Sequence, residues 1–341
     1  MSNQKEQYSK SVDDDIDYTL RISTPGGCNL KCIYCRRENA ISENLLGDEE
    51  LLDIVKASTE NGIKHVRWTG SEPTVMKNFV QIVDKSRNFG IQRQMLSTNG
   101  TILYKMAGEL RNAGINRVNI SLDTLKKEKF AEICGADLLE DVLYSIDLST
   151  QIFDLVKLNA VLTKSTFEEA LPLVKFTESY KDRPSPPVLR FIELVRGGFE
   201  GDGKFVEENY VRGEDVVNSI SANYGSLTPV EVEGDNPMCY YYKIDKTGTI
   251  FGIVPNFSVK YQCAGRRCKK LRLNPTGFMS NCSIYQEFGS PLKGTTYKEK
   301  VRLIRDLIKE KQERGEEVFR RLKHYQSDYH FWRFGEPRDS S

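Results

Sequence analysis

The sequence predicts an α/β protein of six β–α units on a parallel sheet, as an open partial barrel or a doubly wound sheet, with a C-terminal segment of different character. Two observations predict the sheet. Six short stretches rich in Val, Ile, Leu and Thr recur between residues 19 and 195, the composition of strands buried on both faces. Longer amphipathic stretches separate them, which is the alternation of parallel strands with crossover helices. A third observation sets the limit. Near residue 200 the rhythm stops at a glycine-rich stretch, GGFEGDGKF, at 197–205.

The strands read in order as TLRIS (19–23), HVRWTG (65–70), QMLSTN (94–99), RVNISLD (117–123), VKLNAVL (156–162) and VLRFIELV (188–195). Residues 48–62 place Leu51, Leu52, Ile54 and Val55 near one helical face, with Asp48 as N-cap and Asn61–Gly62 as stop. Residues 99–114 and 167–180 also read as helices, the second with a kink or boundary at Pro172. Beyond the glycine-rich linker, 238–254 reads as β and 297–325 as charged, solvated helix. The chain divides into a loose polar arm (1–17), a β–α body (18–200), a C-terminal segment (201–295) and a helical tail (296–341). In either sheet arrangement ligands sit at the carboxyl ends of the strands.

Composition excludes some functions. The 341 residues carry 49 Lys plus Arg against 48 Asp plus Glu, a net charge of +1. That balance excludes global polybasic binding of nucleic acid, but not a local basic pocket. No run approaches the roughly 18 apolar residues of a membrane span. The first residues, MSNQKEQYSKSVDDDIDY, contain no apolar signal core. The expectation is a cytoplasmic protein without a membrane partner.

Six of the eight cysteines fall in two trios. Cys28, Cys32 and Cys35 are spaced C-x3-C-x2-C directly after the first strand. A structural zinc site wants four closed ligands, whereas three close thiolates suit a four-iron, four-sulfur cluster with one open iron. Cys263, Cys268 and Cys282 are spaced C-x4-C-x13-C. They read as a second such cluster, or as a zinc site completed by Cys239, 24 residues upstream of Cys263. Hydroxyl, amide and carboxylate groups recur at successive strand ends, in TGSEP (69–73), LSTNG (96–100) and ISLDT (120–124). One such group caps a helix; a series of them lines a rim.

The first trio, with aromatic Tyr34 before its last cysteine, resembles the radical S-adenosylmethionine (SAM) superfamily. From about Tyr18 to Ile284 the chain resembles the GTP 3′,8-cyclase family of molybdenum cofactor biosynthesis. The resemblance rests on RIS, TGxEP, STNG, VNISLDTL, KLNAV, RFIE and the KLRL inside the second trio. It implies an α/β fold, a partial (β/α)6 TIM-like barrel of the radical SAM type, closed by a C-terminal auxiliary-cluster segment. It implies two [4Fe-4S] clusters, on Cys28, Cys32 and Cys35 and on Cys263, Cys268 and Cys282. SAM would lie against Tyr34, Gly70, Ser71, Glu72, Ser97, Thr98, Asn99, Ser121, Asp123 and Arg190. Cations for an anionic, nucleotide-like substrate would be Arg21, His65, Arg67, Lys157, Lys270 and Arg272, with Arg190 counted among them too. The activity implied is reductive cleavage of SAM to a 5′-deoxyadenosyl radical, which takes hydrogen from the substrate. An external flavodoxin- or ferredoxin-type donor would supply the electron, and a homodimer is compatible with the resemblance.

Five departures qualify it. Ser71 stands for a Gly, His65 for a Lys and Lys270 for an Arg, and the first interval of the second trio is x4 where the family has x2. The family's terminal Gly-Gly is absent from RFGEPRDSS, so Glu336–Ser341 are expected outside the active site. The alternative is a radical SAM enzyme of a natural-product or peptide-modifying pathway. A non-catalytic iron–sulfur or zinc module would not need SAM-type groups at successive strand ends.

Overall fold

The computed structural model describes residues 18–35, 44–194, 202–232, 239–255, 269–281 and 289–313. All six expected strands are present: β1 (Thr19–Thr24), β2 (His65–Gly70), β3 (Arg93–Thr98), β4 (Ile115–Ser121), β5 (Leu155–Leu162) and β6 (Val188–Glu193). Each pairs in parallel with the next. Further along the chain come β7 (Leu227–Val230), β8 (Tyr240–Ile244), β9 (Ile250–Val254), β10 (Lys270–Leu273), β11 (Phe278–Ser280) and β12 (Gly289–Pro291).

The sheet has 12 strands in the order β12-β11-β10-β1-β2-β3-β4-β5-β6-β9-β8-β7. The parallel run is longer than six. β10 joins β1 in parallel on one side, and β9 joins β6 in parallel on the other. The residues after 200 therefore flank both sides of the β–α body, with antiparallel strands outermost. β9 and β10 are short and far in sequence from their partners, so the local β–α rhythm gives no hint of them.

Alternation along each strand sorts the two faces. Leu20, Ile22, Val66, Trp68, Leu96, Val118, Ile120 and Leu158 are fully or almost fully buried against the helices. The helix Asp48–Glu60 contributes Leu51, Leu52, Ile54, Val55, Ala57 and Ser58 to that core, as its periodicity predicts. Trp68 Nε1 donates to Gln94 Oε1 at 2.9 Å, and Gln94 Nε2 donates to the carbonyl of Val83 at 2.9 Å, so the buried indole and amide are both satisfied.

Several boundaries differ from the sequence expectation. The N-cap of the first helix is Gly47, and Asp48 is its first residue, where its charge favours the helix dipole. Residues 99–114 are not one helix but a 3₁₀ turn (Leu103–Lys105) and a short α-helix (Ala107–Ala113). The cause is local. Thr98 Oγ1 accepts from Gly100 N, and Asn99 Oδ1 accepts from Thr101 N, both at 3.0 Å, so side chains take the donors a helix would use. Pro172 lies in the first turn of Ala170–Glu178, where its missing N–H costs nothing. The glycine-rich stretch yields to a helix at Asp202–Asn209, where KFVEEN supplies ordinary helix formers.

Candidate active site

The first trio sits on the loop leaving β1. Cys28 and Cys35 are exposed and Cys32 is half-buried, all with free thiols. The loop is held by its backbone: Lys31 N donates to the carbonyl of Cys134 at 2.8 Å and Ile33 N to that of Ile133 at 3.0 Å. The C-terminus of helix Lys127–Cys134 thus forms its floor. Cys28 Sγ accepts from Leu30 N at 3.4 Å and from Asn99 Nδ2 at 3.7 Å. N–H groups aimed at sulfur suit a thiolate ligand. Burial raises the Cys28 thiol, while contact with the Cys134 thiol is the main cause lowering Cys32. Among the described residues, no three His, Cys, Asp or Glu side chains form a group that could hold a single metal ion. A four-iron cube binds each thiolate at a separate iron and needs no such convergence. An accessible trio of free thiols on one short loop, with donors aimed at sulfur, fits a cluster.

Gly70 ends β2 with φ +109°, and a Cβ there would lie 2.8 Å from Thr24 N and 2.9 Å from Ser23 Cα. Only glycine lets the two strand ends approach this closely. Ser71 follows, half-buried. Glu72 is buried and fully engaged within the protein. Its Oε1 accepts from Thr74 N at 3.1 Å and from the hydroxyls of Thr74 and Thr98 at 2.6 Å, and its Oε2 from Asn99 N at 2.6 Å. Burial pushes its carboxyl up, and these donors oppose the shift. Glu72 therefore ties the end of β2 to the end of β3, and Asn99 carries the tie on to the cysteine loop by donating to Asn29 Oδ1 at 2.9 Å.

At the end of β4, Ser121 is exposed and Asp123 is buried. Tyr34 Oη donates to Asp123 Oδ2 at 2.5 Å, and Val161 N donates to Asp123 Oδ1 at 2.7 Å. Desolvation raises Asp123 to about 6, with both hydrogen bonds opposing. Burial and the Asp123 carboxylate hold the Tyr34 phenol well above its ordinary range.

The predicted cations share one face of the sheet. Arg21 pairs in register with Arg67 and Arg272, and Thr19, one pleat below, pairs with His65 and Lys270. Arg67 pairs with Met95, and Met95 with Arg117, extending the row to β4. One pleat higher, Ser97, Asn119 and Lys157 are in register, and above them Ser121, Asn159, Arg190 and Gly252. In-register neighbours point to the same side, so this face is polar and cationic while the other is apolar. Lys157 Nζ stands 6.0 Å from the centroid of the Tyr241 ring. Gly252 makes room for that ring: a Cβ would lie 2.6 Å from Tyr241 Cε1 and 2.7 Å from Cys239 Sγ. Cys239 is thereby placed beside the cationic face. The second trio, Cys263, Cys268 and Cys282, and the tail 314–341 lie outside the described residues.

Sequence reasoning passed over Asn29, Thr101, Asn119, Asn159, Arg117, Cys134 and Tyr241. Asn119 and Asn159 were legible as amides in the interior of apolar strands, where an unpaired side chain is costly. Cys134 carried no local signal, because its relation to the loop is tertiary.

Residues 22–177 match the Radical SAM superfamily. The GTP 3′,8-cyclase of Desulforamulus reducens is 34% identical over 309 residues, covering 87% of this chain and 91% of that protein. That of Aliarcobacter butzleri is 33% identical over 312 residues, covering 88% and 91%. The molybdenum cofactor biosynthesis protein moc-5 of Caenorhabditis elegans is 32% identical over 268 residues, covering 77% of this chain and 43% of that protein. Among solved structures, Streptococcus suis SuiB bound to S-adenosylmethionine shares the fold, with a TM-score of 0.56, 16% identity and coverage of 87% of this chain and 68% of that one. The chain belongs to the GTP 3′,8-cyclase family of radical SAM enzymes, whose cofactors are SAM and four-iron, four-sulfur clusters.

Proposed function

We propose that the chain is a GTP 3′,8-cyclase acting in molybdenum cofactor biosynthesis. The observation that carries this reading is the cationic face: Arg21, Arg67 and Arg272 in one row, His65 and Lys270 one pleat below, and Lys157 and Arg190 above, under a rim of SAM-type groups. Several strand-borne cations on one face suit a triphosphate. The relatives named for the same activity support the choice of GTP.

With the cluster on Cys28, Cys32 and Cys35, bound SAM supplies the radical that removes hydrogen from an unactivated carbon. The chain's own residues bind, orient and exclude water. Tyr34, Asp123 and Glu72 fix the cysteine loop and the strand ends against one another. Gly70 and Ser71 offer backbone to the methionine end of SAM. Arg67, Lys157 and Arg272 would hold phosphate, and Cys263, Cys268 and Cys282 would hold the second cluster. A one-electron donor of the flavodoxin or ferredoxin type would supply the electron to a cluster held by Cys28, Cys32 and Cys35, and the reading is of a soluble cytoplasmic enzyme.

The test is anaerobic turnover of reconstituted protein with dithionite, SAM and each of several nucleoside triphosphates. The expected result is 5′-deoxyadenosine with a cyclised product from GTP alone. Equal stimulation by another nucleotide would instead favour a sister enzyme on the same scaffold, a reading that His65 and Lys270 at cation positions keep open.

A further inference from the structure

Tyr241 is the middle of three consecutive tyrosines at 240–242, and its ring goes the opposite way from that of Tyr242. Tyr242 stacks on Phe251, ring centroids 5.6 Å apart, on the apolar side of the sheet. Tyr241 pairs across the ladder with Gly252, and Gly252 is in register with Arg190 on β6. In-register residues share a side, so Tyr241 belongs to the cationic face. The missing side chain of Gly252 seats it there: a Cβ would lie 2.6 Å from Cε1 and 2.7 Å from Cδ1 of the ring. Lys157 reaches the same ring, with Nζ 6.0 Å from its centroid.

The tip of this side chain has chemistry that its seat does not explain. Tyr241 is 5% exposed, and its Oη is buried with no hydrogen-bond partner among the described residues. A buried hydroxyl without a partner destabilises the fold that holds it. A phenylalanine would fill the same seat and keep the contact with the Lys157 ammonium without that burden. The hydroxyl instead stands on the face that carries Arg21, Arg67, Lys157 and Arg272. A phenol can donate or accept, and toward an anion it donates, in a bond roughly twice as strong as a neutral one. We infer that Tyr241 is a substrate-binding residue whose phenol donates a hydrogen bond to a phosphate oxygen of the nucleotide, beside Lys157. The inference rests on the proposed function for the identity of the nucleotide, while the anion itself follows from the face.

The experiment uses full-length, anaerobically reconstituted protein, wild type and Y241F. Equilibrium binding of GTP, of inorganic triphosphate and of SAM is measured separately, together with the melting temperature of the ligand-free protein. Y241F should weaken GTP and inorganic triphosphate alike, by at least about tenfold, the loss of a hydrogen bond to a charged group. SAM should bind within about twofold of wild type. The ligand-free variant should melt at the wild-type temperature or above it, because only an unpartnered hydroxyl is gone. A second variant, G252A, keeps the phenol and drives its ring off the seat. It should weaken the same two ligands, and adding Y241F to it should change their affinity by less than about a further twofold. Y241F that binds GTP and triphosphate as wild type does overturns the inference. A loss for GTP without a loss for triphosphate overturns it too, since the phenol would then read the nucleoside. So does a lowered melting temperature, the mark of a tyrosine that serves the fold, and so do additive losses in the double variant. Wild-type protein that binds triphosphate but not GTP overturns the proposed function instead, and the triphosphate arm still decides the role of Tyr241.

Discussion

Tyr34 and Asp123 are joined by a 2.5 Å hydrogen bond from phenol to carboxylate, 89 residues apart in sequence. It connects the cysteine loop to the far end of β4, and through Val161 N to β5. The aromatic residue of the cysteine motif is thus more than an apolar neighbour for a ligand. It is the fastening of the loop that carries the three thiols.

Tyr34→Phe should keep the ring and lose the fastening. Asp123 would then be a buried carboxylate short of one donor, at a cost of about 1–3 kcal/mol. Iron per chain after anaerobic gel filtration should fall below the wild-type value, and the apoprotein should denature at lower urea. Wild-type iron retention together with wild-type stability would show that the hydrogen bond holds nothing.

Asp123 also sets a pH dependence. Its folded value, about 6, lies above the ordinary 3.8 because burial disfavours the charged form. The folded state therefore binds the proton more tightly than the unfolded chain does. The stability this contributes is full below about pH 4 and is lost as pH rises through 6. In the apoprotein Asp123→Asn removes the dependence. Denaturant titrations from pH 4 to 7.5 should show the variant gaining on wild type by up to about 3 kcal/mol. A difference that stays constant across that range would contradict the assignment.

Glu72→Gln tests whether this carboxylate is a strut. Four donors converge on it, and an amide would set its own N–H groups against one or two of them. We expect about 2–4 kcal/mol of lost stability even without SAM, read as a lower melting temperature of the apoprotein. A residue that served only to bind SAM would leave that temperature unchanged.

Gly70→Ala and Gly62→Ala form a matched pair. Both have positive φ, +109° and +80°, but a Cβ on Gly70 strikes the backbone of β1 while nothing lies within 4 Å of one on Gly62. Gly62→Ala should cost about 1 kcal/mol, the backbone term alone. Gly70→Ala should cost several times that and separate the ends of β1 and β2, with loss of SAM binding by equilibrium dialysis.

Iron counting addresses the two trios. Reconstituted wild type should carry about eight irons per chain, and the triple alanine variant at Cys28, Cys32 and Cys35 about four. Stoichiometric zinc without iron in that variant would identify the second trio as a zinc site.

Much of the β–α body was legible because its strands are short stretches rich in Val, Ile, Leu and Thr set between longer amphipathic ones, and β2 is found where HVRWTG predicts it. The cysteine loop was legible for a chemical reason, since three thiols at that spacing have few uses. The rest depends on contacts distant in sequence. IFGIV and KLRL are too short to announce that they extend the parallel run on both sides. Glu72 was read as a ligand group, and its four internal donors come from a neighbouring turn and from the end of another strand. Asn159 looked like one amide in an apolar run until β6 brought Arg190 beside it.

The strand order has a consequence for biosynthesis. β1 leaves the ribosome well before its outer neighbour β10, which lies about 250 residues later, and β6 waits for β9 across two helices and a hairpin. Until then the nascent β–α body presents two bare rows of backbone donors and acceptors, the template on which chains add to one another. A truncation that ends near residue 194 would keep every SAM-type group at the strand ends and leave both rows open, so it should precipitate or multimerise. β10, which brings Lys270 and Arg272 to the active face, and β9, which brings Gly252, also serve the young chain as its protection against self-association.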